Sequence, residues 1–590
     1  MGRLLFISAT ALAVLGLLPA AAAAAFGFAE ADLTLSGQDG SPAMQAGAHP
    51  FALTTSLRLN TVEQSGLEAP DENLEELWVE YPAGLVVTPA SVPACAMVDF
   101  EEIEGSANEC SDSTAIGIAE VTASATGPIP AGTEDFLEPA PVYKLPPDGG
   151  VARIGLVVAG QPITAELGLT EAEPYRGYLS VSEIPESVLL YSARVTIWGT
   201  PADPSHDGDR GACAFVVASC PVATPSAPLL TAPRSCTGPL ETVFEARSRQ
   251  EPEQWIGGTG LSAGLTGCSK LAFAPQFDAQ PTTDLAETPS GFEVAFDFSD
   301  DGLANPDSLA QSETQEILLT LPEGMTVDPA APGGFGCTPA QYAAEDLDPE
   351  PGEGCPLTAE VGTVEAESPL LDGTVLDGKV FLAQPDDPTT DDPGTENPFD
   401  SPFALYVVLR HPGFGIVIKQ AGEVGFDPTT EQLLVRFDQL PQIPIAHLGL
   451  SLEGDEGGLL VTPTECGEFT TTATLTPWSD HNNSFLASRS FEIVAGPEDG
   501  PCPSGEVPPD DPGVEGPGND TPASSGSGSA ATPPPPGLAP PPGVKPRSCP
   551  KGKRRAMGRK GRCVRKRCPR PGARSSARPR RRCLHPLVPR

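Results

Sequence analysis

Ser262 stands in GLSAG at 260–264, which has the G-x-S-x-G spacing in which a sharp strand-to-helix turn exposes a serine for acyl transfer. That chemistry needs a helix after the serine, whose first amides build the oxyanion hole, and an acid and a histidine further along the chain. Here the surroundings are QWIGGTGLSAGLTGCSK, glycine-rich on both sides and without a run of helix formers. His411, His447 and His481 follow, but so do dozens of acids, so chain order selects no triad. The stretch reads as a Gly/Ser/Thr loop inside the segment from Cys236 to Cys268, and no catalytic residue is assigned.

WGTPADPSHDGDRGAC (198–213) offers Asp203, His206, Asp207 and Asp209 as hard and imidazole donors within one short loop. Pro204, Ser205, Asp207 and Gly208 are all turn formers, so a turn is the favoured reading and a metal role the minor one. The acidic run AQPDDPTTDDPGTENPFDSP has carboxylates that suit calcium, but lacks the D-x-[DN]-x-[DN]-G spacing with a distal Glu, and reads as a solvated loop. No phosphate-binding loop with its Lys-Ser/Thr pair, no H-E-x-x-H and no dinucleotide fingerprint occurs. No cofactor or metal ligand is therefore assigned.

Charge is the other chemical resource. Residues 545–590 hold 19 of the 35 Lys and Arg and no acid, leaving 16 basic residues and all 79 acidic ones before them, a body of formal charge −63. The dense part includes Lys551, Lys553, Arg554, Arg555, Arg559, Lys560, Arg562, Arg565, Lys566 and Arg567. Cys549 with Cys563, and Cys568 with Cys583, would close two small basic loops, which keep charge dense while limiting the freedom lost on binding. No aromatic residue lies between these cysteines, so base stacking has no support and nucleic acid is not expected as a partner. Anionic polymers or surfaces of the cell envelope are the expected contact, with folding back onto the acidic body as the rival.

These residues must be positioned by a chain that leaves the cell. Residues 1–25 show Arg3, an apolar run over 4–18 and small residues beyond, the pattern of a secretory signal peptide. No later stretch is apolar for long enough to span a membrane, so the mature chain is expected to have no integral span. Fourteen cysteines in an exported chain, with no C-x-x-C pair and six scattered histidines, point to disulfides rather than zinc. The expected location is extracellular or cell-surface associated.

The chain repeats itself. ELWVEYPAGLVVTP (76–89) answers to EILLTLPEGMTVDP (316–329), and FALTTSLRLN (51–60) to GFEVAFDFSD (291–300). LLTAPRSCTGPLETVFEA (229–246) answers to LLVTPTECGEFTTTATLT (459–476). In this register Cys95 aligns with Cys337, Cys110 with Cys355, Cys236 with Cys466, and Cys268 with Cys502. The same bridges are therefore expected in both copies, Cys95–Cys110 with Cys337–Cys355 and Cys236–Cys268 with Cys466–Cys502, and Cys213–Cys220 as an extra. Runs such as VARIGLVV, ITAELGLT, YLSVSE and LLYSARVTIW match FALYVVLR, FGIVIKQA, LLVRFDQL and HLGLSLEG in the second copy. They are short, β-branched and bounded by Pro and Gly, as strands of an antiparallel sandwich are. At Pro82 and Pro322 the P-x-G suits a tight turn with proline at its second position and glycine at its fourth. PAQYAAEDLD (339–348) suits a short helix.

The expected fold is all-β: two tandem β-sandwich units with long loops at 26–285 and 286–503, a disordered Pro/Gly/Ser linker at 504–546, and a basic Cys-containing tail at 547–590. WGTPADPSHD and TECGEFTTTATLTPWSD resemble motifs of large secreted tandem-repeat proteins of high-GC bacteria, over roughly residues 26–500. That resemblance implies secretion and a β-rich, multi-unit build, and implies no functional residue. The expected function is a non-enzymatic structural or adhesive protein outside the cell, its tail anchored to envelope polymers, with an exported polymer-degrading hydrolase as the alternative.

Overall fold

Strict alternation builds the sheets: LETVFEARS buries every second side chain from Leu240 to Ser248, and FEVAFD does the same from Phe292. The structure, a computed structural model, describes residues 25–502 except 105–106, 134–137, 183, 217, 329–335, 350–351, 372, 386–396, 400, 402 and 455–457, and also describes 553–555 and 563–565.

The first sheet contains β1 (Phe28–Ser36), β2 (Ala52–Leu59), β3 (Leu74–Glu80), β4 (Ala115–Ser124), β5 (Glu138–Leu145), β6 (Ala152–Val158), β7 (Gln161–Leu169), β8 (Gly177–Val181), β9 (Leu189–Trp198), β10 (Leu240–Ser248) and β11 (Trp255–Ser262). The second contains β12 (Gln276–Pro281), β13 (Phe292–Asp297), β14 (Thr314–Thr320), β15 (Glu360–Glu367), β16 (Val375–Leu382), β17 (Phe403–His411), β18 (Ile416–Phe426), β19 (Leu433–Phe437), β20 (His447–Leu452), β21 (Gly467–Pro477) and β22 (Phe485–Ile493). In space the first runs β1-β2-β9-β4-β5-β6-β7-β8-β3-β10-β11 and the second β12-β13-β20-β15-β16-β17-β18-β19-β14-β21-β22. The two eleven-stranded orders are identical, strand for strand, so the duplication read from the sequence is a duplication of topology. The second sheet opens at Gln276, which moves the division between the units toward the N-terminus from 285.

Each sheet rolls into two layers until its outermost strands lie side by side. At the first seam Ser262 Oγ of β11 donates to Leu33 O of β1 at 2.6 Å. At the second, Arg489 Nε of β22 meets Asp278 Oδ1 of β12 at 2.7 Å. Between the layers lie two apolar cores, one around Leu33, Leu59, Val142 and Phe244, the other around Phe292, Val380, Ala473 and Leu475. A smaller core sits outside each sheet, under the loop that carries α1 (Met97–Glu101) or α2 (Pro339–Ala343). α2 starts with a capping box in which Thr338 and Gln341 satisfy each other's backbone N–H.

The P-x-G turns differ from the expectation by one position. Leu85 N–H bonds Pro82 O (3.1 Å) and Met325 N–H bonds Pro322 O (3.3 Å), which makes proline the first turn residue and glycine the third. Gly84 has φ +79° and Gly324 has φ +84°. The third position of this turn requires that left-handed conformation, which only glycine adopts without steric cost.

Disulfides join Cys95 to Cys110, Cys213 to Cys220, Cys236 to Cys268, Cys337 to Cys355 and Cys466 to Cys502. In the C-terminal region the backbones of Lys553–Arg555 and Cys563–Arg565 pair antiparallel. Lys551, Arg559, Lys560, Arg562, Lys566, Arg567, Cys549, Cys568 and Cys583 lie outside the described residues, as do residues 1–24 of the signal peptide expected at 1–25 and the linker expected at 504–546. No helix among the described residues is long and apolar enough to cross a membrane.

Candidate functional site

The residues with chemical potential in the sequence are held in structural roles. Ser262 ends β11 and spends its hydroxyl on the seam bond to Leu33, and Leu265 to Gly267 lead into a short 3-10 turn rather than an α-helix. In the 198–213 loop, Asp203 caps the turn Pro204–His206, accepting from Ser205 N (2.8 Å) and Ser205 Oγ (2.6 Å). His206 is 3% exposed, stacked on Trp198 (4.5 Å) and packed against the tilted ring of Phe51 (4.7 Å). Burial pulls its pKa down to about 4, against the opposing pull of Asp203. Arg210, 1% exposed, donates to Pro201 O (2.6 Å), Asp203 O and Asp207 Oδ1 (both 3.2 Å) and lies over the Trp198 ring. This is a cross-braced turn, as the turn-forming residue types suggested. No group of three or more His, Cys, Asp or Glu able to hold a metal occurs among the described residues. Most of the acidic run at 383–402 lies outside them.

The site that the residue types did not disclose is a cavity of about 260 Å³ inside the second rolled sheet. Its walls are inward residues of β13 to β20, including Phe296, Leu405, Val407, Ile418, Phe437 and Leu450. Several of these, among them Ile418, Phe437, Leu448 and Leu450, stay only half-buried although they face the core, because the two layers do not fill the space between them. Large rolled sheets characteristically enclose such space, since the diameter grows with strand number faster than aliphatic side chains can fill it.

Two elements cover the cavity. One is the connection from β19 to β20, where Leu440, Pro441, Gln442, Ile443, Pro444 and Ile445 all face it. Ser368 Oγ ties that connection down by donating to Pro444 O at 2.8 Å. The other is the first unit, which contributes Tyr81, Val86, Val87, Leu169, Tyr175 and Tyr178. Tyr175 is locked there: its hydroxyl donates to Lys419 O (2.6 Å) and accepts from Lys419 N–H (2.7 Å). Burial pushes the Tyr175 and Tyr81 hydroxyls up to about 12, so both stay protonated at any physiological pH. Gly84, at the first unit's P-x-G turn, approaches Gln442 so closely that a Cβ there would meet Oε1 at 2.7 Å.

Few polar side chains interrupt the apolar wall, namely Glu367, Ser368, Gln420 and Gln442, and both glutamines have Oε1 buried without a partner. Gln420, on β18, is 7% exposed and lines the cavity. Its Nε2 donates to Asp438 O at 2.9 Å, while its Oε1 is buried without a partner. A signal for it was present in the sequence. On the inward face of β18, Ile416 and Ile418 are followed by Gln420 and Gly422, so the aliphatic series stops at a glutamine. The volume behind it left no such trace.

No known family matches the chain, and no curated protein matches it either. Solved structures give distant likenesses. The MSCRAMM ACE of Enterococcus faecalis, which binds its ligands by the collagen hug model, is 7% identical over 79% of this chain and 94% of that one, with a TM-score of 0.15. The collagen adhesin CNA from S. aureus is 7% identical over 80% and 92%, with a TM-score of 0.14. The C-terminal domain of the antigen I/II-family protein AspA of Streptococcus pyogenes is 8% identical over 78% and 98%, with a TM-score of 0.15. Likeness at that level transfers neither fold nor ligand to this chain.

Proposed function

We propose that the chain is an exported, non-enzymatic binding protein of the cell surface, structural or adhesive in role, held at the envelope by its basic C-terminal segment. The observation that supports this reading is the segregation of charge: 19 positive residues and no acid over 545–590, behind a body of formal charge −63. Such a body alone would be repelled by phosphate-rich or carboxylate-rich polymers, while the tail is attracted to them. A Pro/Gly/Ser stretch separates the two regions and holds the body's repulsion at a distance. The fold adds a rigid carrier, since Ser262, His206 and Arg210 all serve packing and bracing.

The test compares the full chain with one truncated after Pro541 for retention on isolated cell walls over rising salt. Screening acts within roughly 8 Å at physiological ionic strength, so an electrostatic anchor must release steeply as salt increases. The full chain should be retained and salt-released, and the truncated chain should wash through. Equal retention of the two, or retention indifferent to salt, refutes the anchor and favours contact between the tail and the body.

A further inference from the structure

We propose that the cavity of the second unit is a binding site for one aliphatic chain whose uncharged polar end donates a hydrogen bond to Gln420 Oε1. Three observations converge on it. The first is volume: a cavity of roughly 150 Å³ already accepts a benzene ring, and this one measures about 260 Å³. That leaves room for a single medium-length chain and too little for a two-chain lipid.

The second is the lining. Among the described residues it contains no lysine, arginine or histidine, and the wall they form is aliphatic and aromatic almost throughout. Water is a poor filler of such a space, because each molecule needs several polar partners. An anionic head is disfavoured for the same reason, since the one charged residue on the wall is itself a carboxylate, Glu367.

The third is Gln420. Only Nε2 can donate to Asp438 O, so the carbonyl is the free end of a side chain that lines the cavity. A buried carbonyl with no donor is costly to leave unpaired. A ligand hydroxyl or amide N–H removes that cost, whereas a carboxylate, which only accepts, adds a second unpaired acceptor. The ligand class is therefore an aliphatic alcohol or amide rather than a fatty-acid anion.

Calorimetric titration of the full chain with decanol and with decanoate at neutral pH tests this directly. Decanol should bind saturably at one site per chain, and decanoate at least tenfold more weakly. Each methylene added to the alcohol should tighten binding about fourfold, the equivalent of burying one CH₂. Leu450→Trp, which fills the cavity, should abolish binding, and Leu450→Phe serves as the milder variant if the tryptophan prevents folding. Gln420→Leu should keep the chain-length dependence but weaken decanol about tenfold or more, because its hydroxyl would then be buried unpaired. Absence of saturable decanol binding overturns the proposal. So does wild-type affinity in both Leu450→Phe and Gln420→Leu, which would place any bound alcohol elsewhere, and so does decanoate binding as tightly as decanol.

Discussion

Arg234 of the first unit and Glu313 of the second form an ion pair almost wholly withdrawn from water, with side chains 1% and 5% exposed. Asp300, also of the second unit, stands 3.4 Å from the same guanidinium. Burial lowers the Arg234 pKa to about 10, with Asp300 opposing that shift, so the group remains charged at neutral pH. Around the pair, His49 of the first unit contacts Leu230 O and Gly302 O, both at 3.0 Å, and Ala310 N–H bonds Gly47 O at 2.9 Å. The two units are thus joined by charged and polar contacts as well as by apolar ones.

Removing one member of a buried pair strands the other. Arg234→Ala should lower stability by about 3–5 kcal/mol, by leaving Glu313 buried without its counter-charge. Replacing both partners, as in Arg234→Met with Glu313→Leu, should cost less than Arg234→Met alone, because the nearly inaccessible Glu313 is then not left without its counter-charge. Denaturant unfolding of the four proteins checks this. A double variant that loses as much as the sum of the singles would show that the pair is not coupled.

Gly117 of β4 and Gly362 of β15 occupy the same place in the two sheets and meet the same obstacle. A Cβ on Gly117 would lie 2.2 Å from Thr196 O, and one on Gly362 would lie 2.3 Å from Ser451 O. Each obstructing oxygen belongs to the neighbouring strand, β9 or β20, so relief would require parting a ladder. Gly117→Ala and Gly362→Ala should each cost about 1–3 kcal/mol, in the range of core overpacking. Gly425→Ala, on β18 with open space around its Cα, is the control and should stay within about 0.5 kcal/mol. Thermal or denaturant unfolding of the three variants reads the difference. Equal losses at Gly117 and Gly425 would mean that the sheet yields at this contact.

Much of this architecture was legible in the residues. ELWVEYPAGLVVTP and its counterpart EILLTLPEGMTVDP do form equivalent strands β3 and β14, and the two-residue period marked most of the others. What escaped was three-dimensional. The turn position of Gly84 depended on which carbonyl Leu85 would choose, and P-x-G alone permits either placement. The assignment of Gln276–Pro281 to the second sheet rests on its pairing with Phe292–Asp297, a contact that QFDAQP does not announce. The cavity is the extreme case. Its walls are ordinary strand residues, and whether two layers of Leu, Val and Ile fill the space between them depends on the curvature of an eleven-stranded sheet. Only Gln420 marks it in the sequence, and a lone glutamine in an apolar series is a weak sign without the volume beside it.

His206 gives the fold a specific acid sensitivity. Its ring packs against Trp198 and Phe51 with Nε2 buried and unpartnered, and burial lowers its pKa from 6.5 to about 4. Asp203 opposes that shift and Arg210 reinforces it, but desolvation of the charged ring dominates. The unfolded chain therefore takes up a proton near pH 6.5, while the folded one holds its imidazole neutral until about pH 4. Stability linked to this group is complete above the unfolded value and is lost as pH falls through that window, with a slope of at most about 1.4 kcal/mol per pH unit. His206→Phe keeps a ring in the stack and removes the titration. Between roughly pH 7 and pH 4.5 the wild type should lose more unfolding free energy than the variant, by about 2 kcal/mol. Parallel pH dependences in the two proteins would mean that the ring reaches water and protonates in place, and the acid response would then belong to the carboxylates alone.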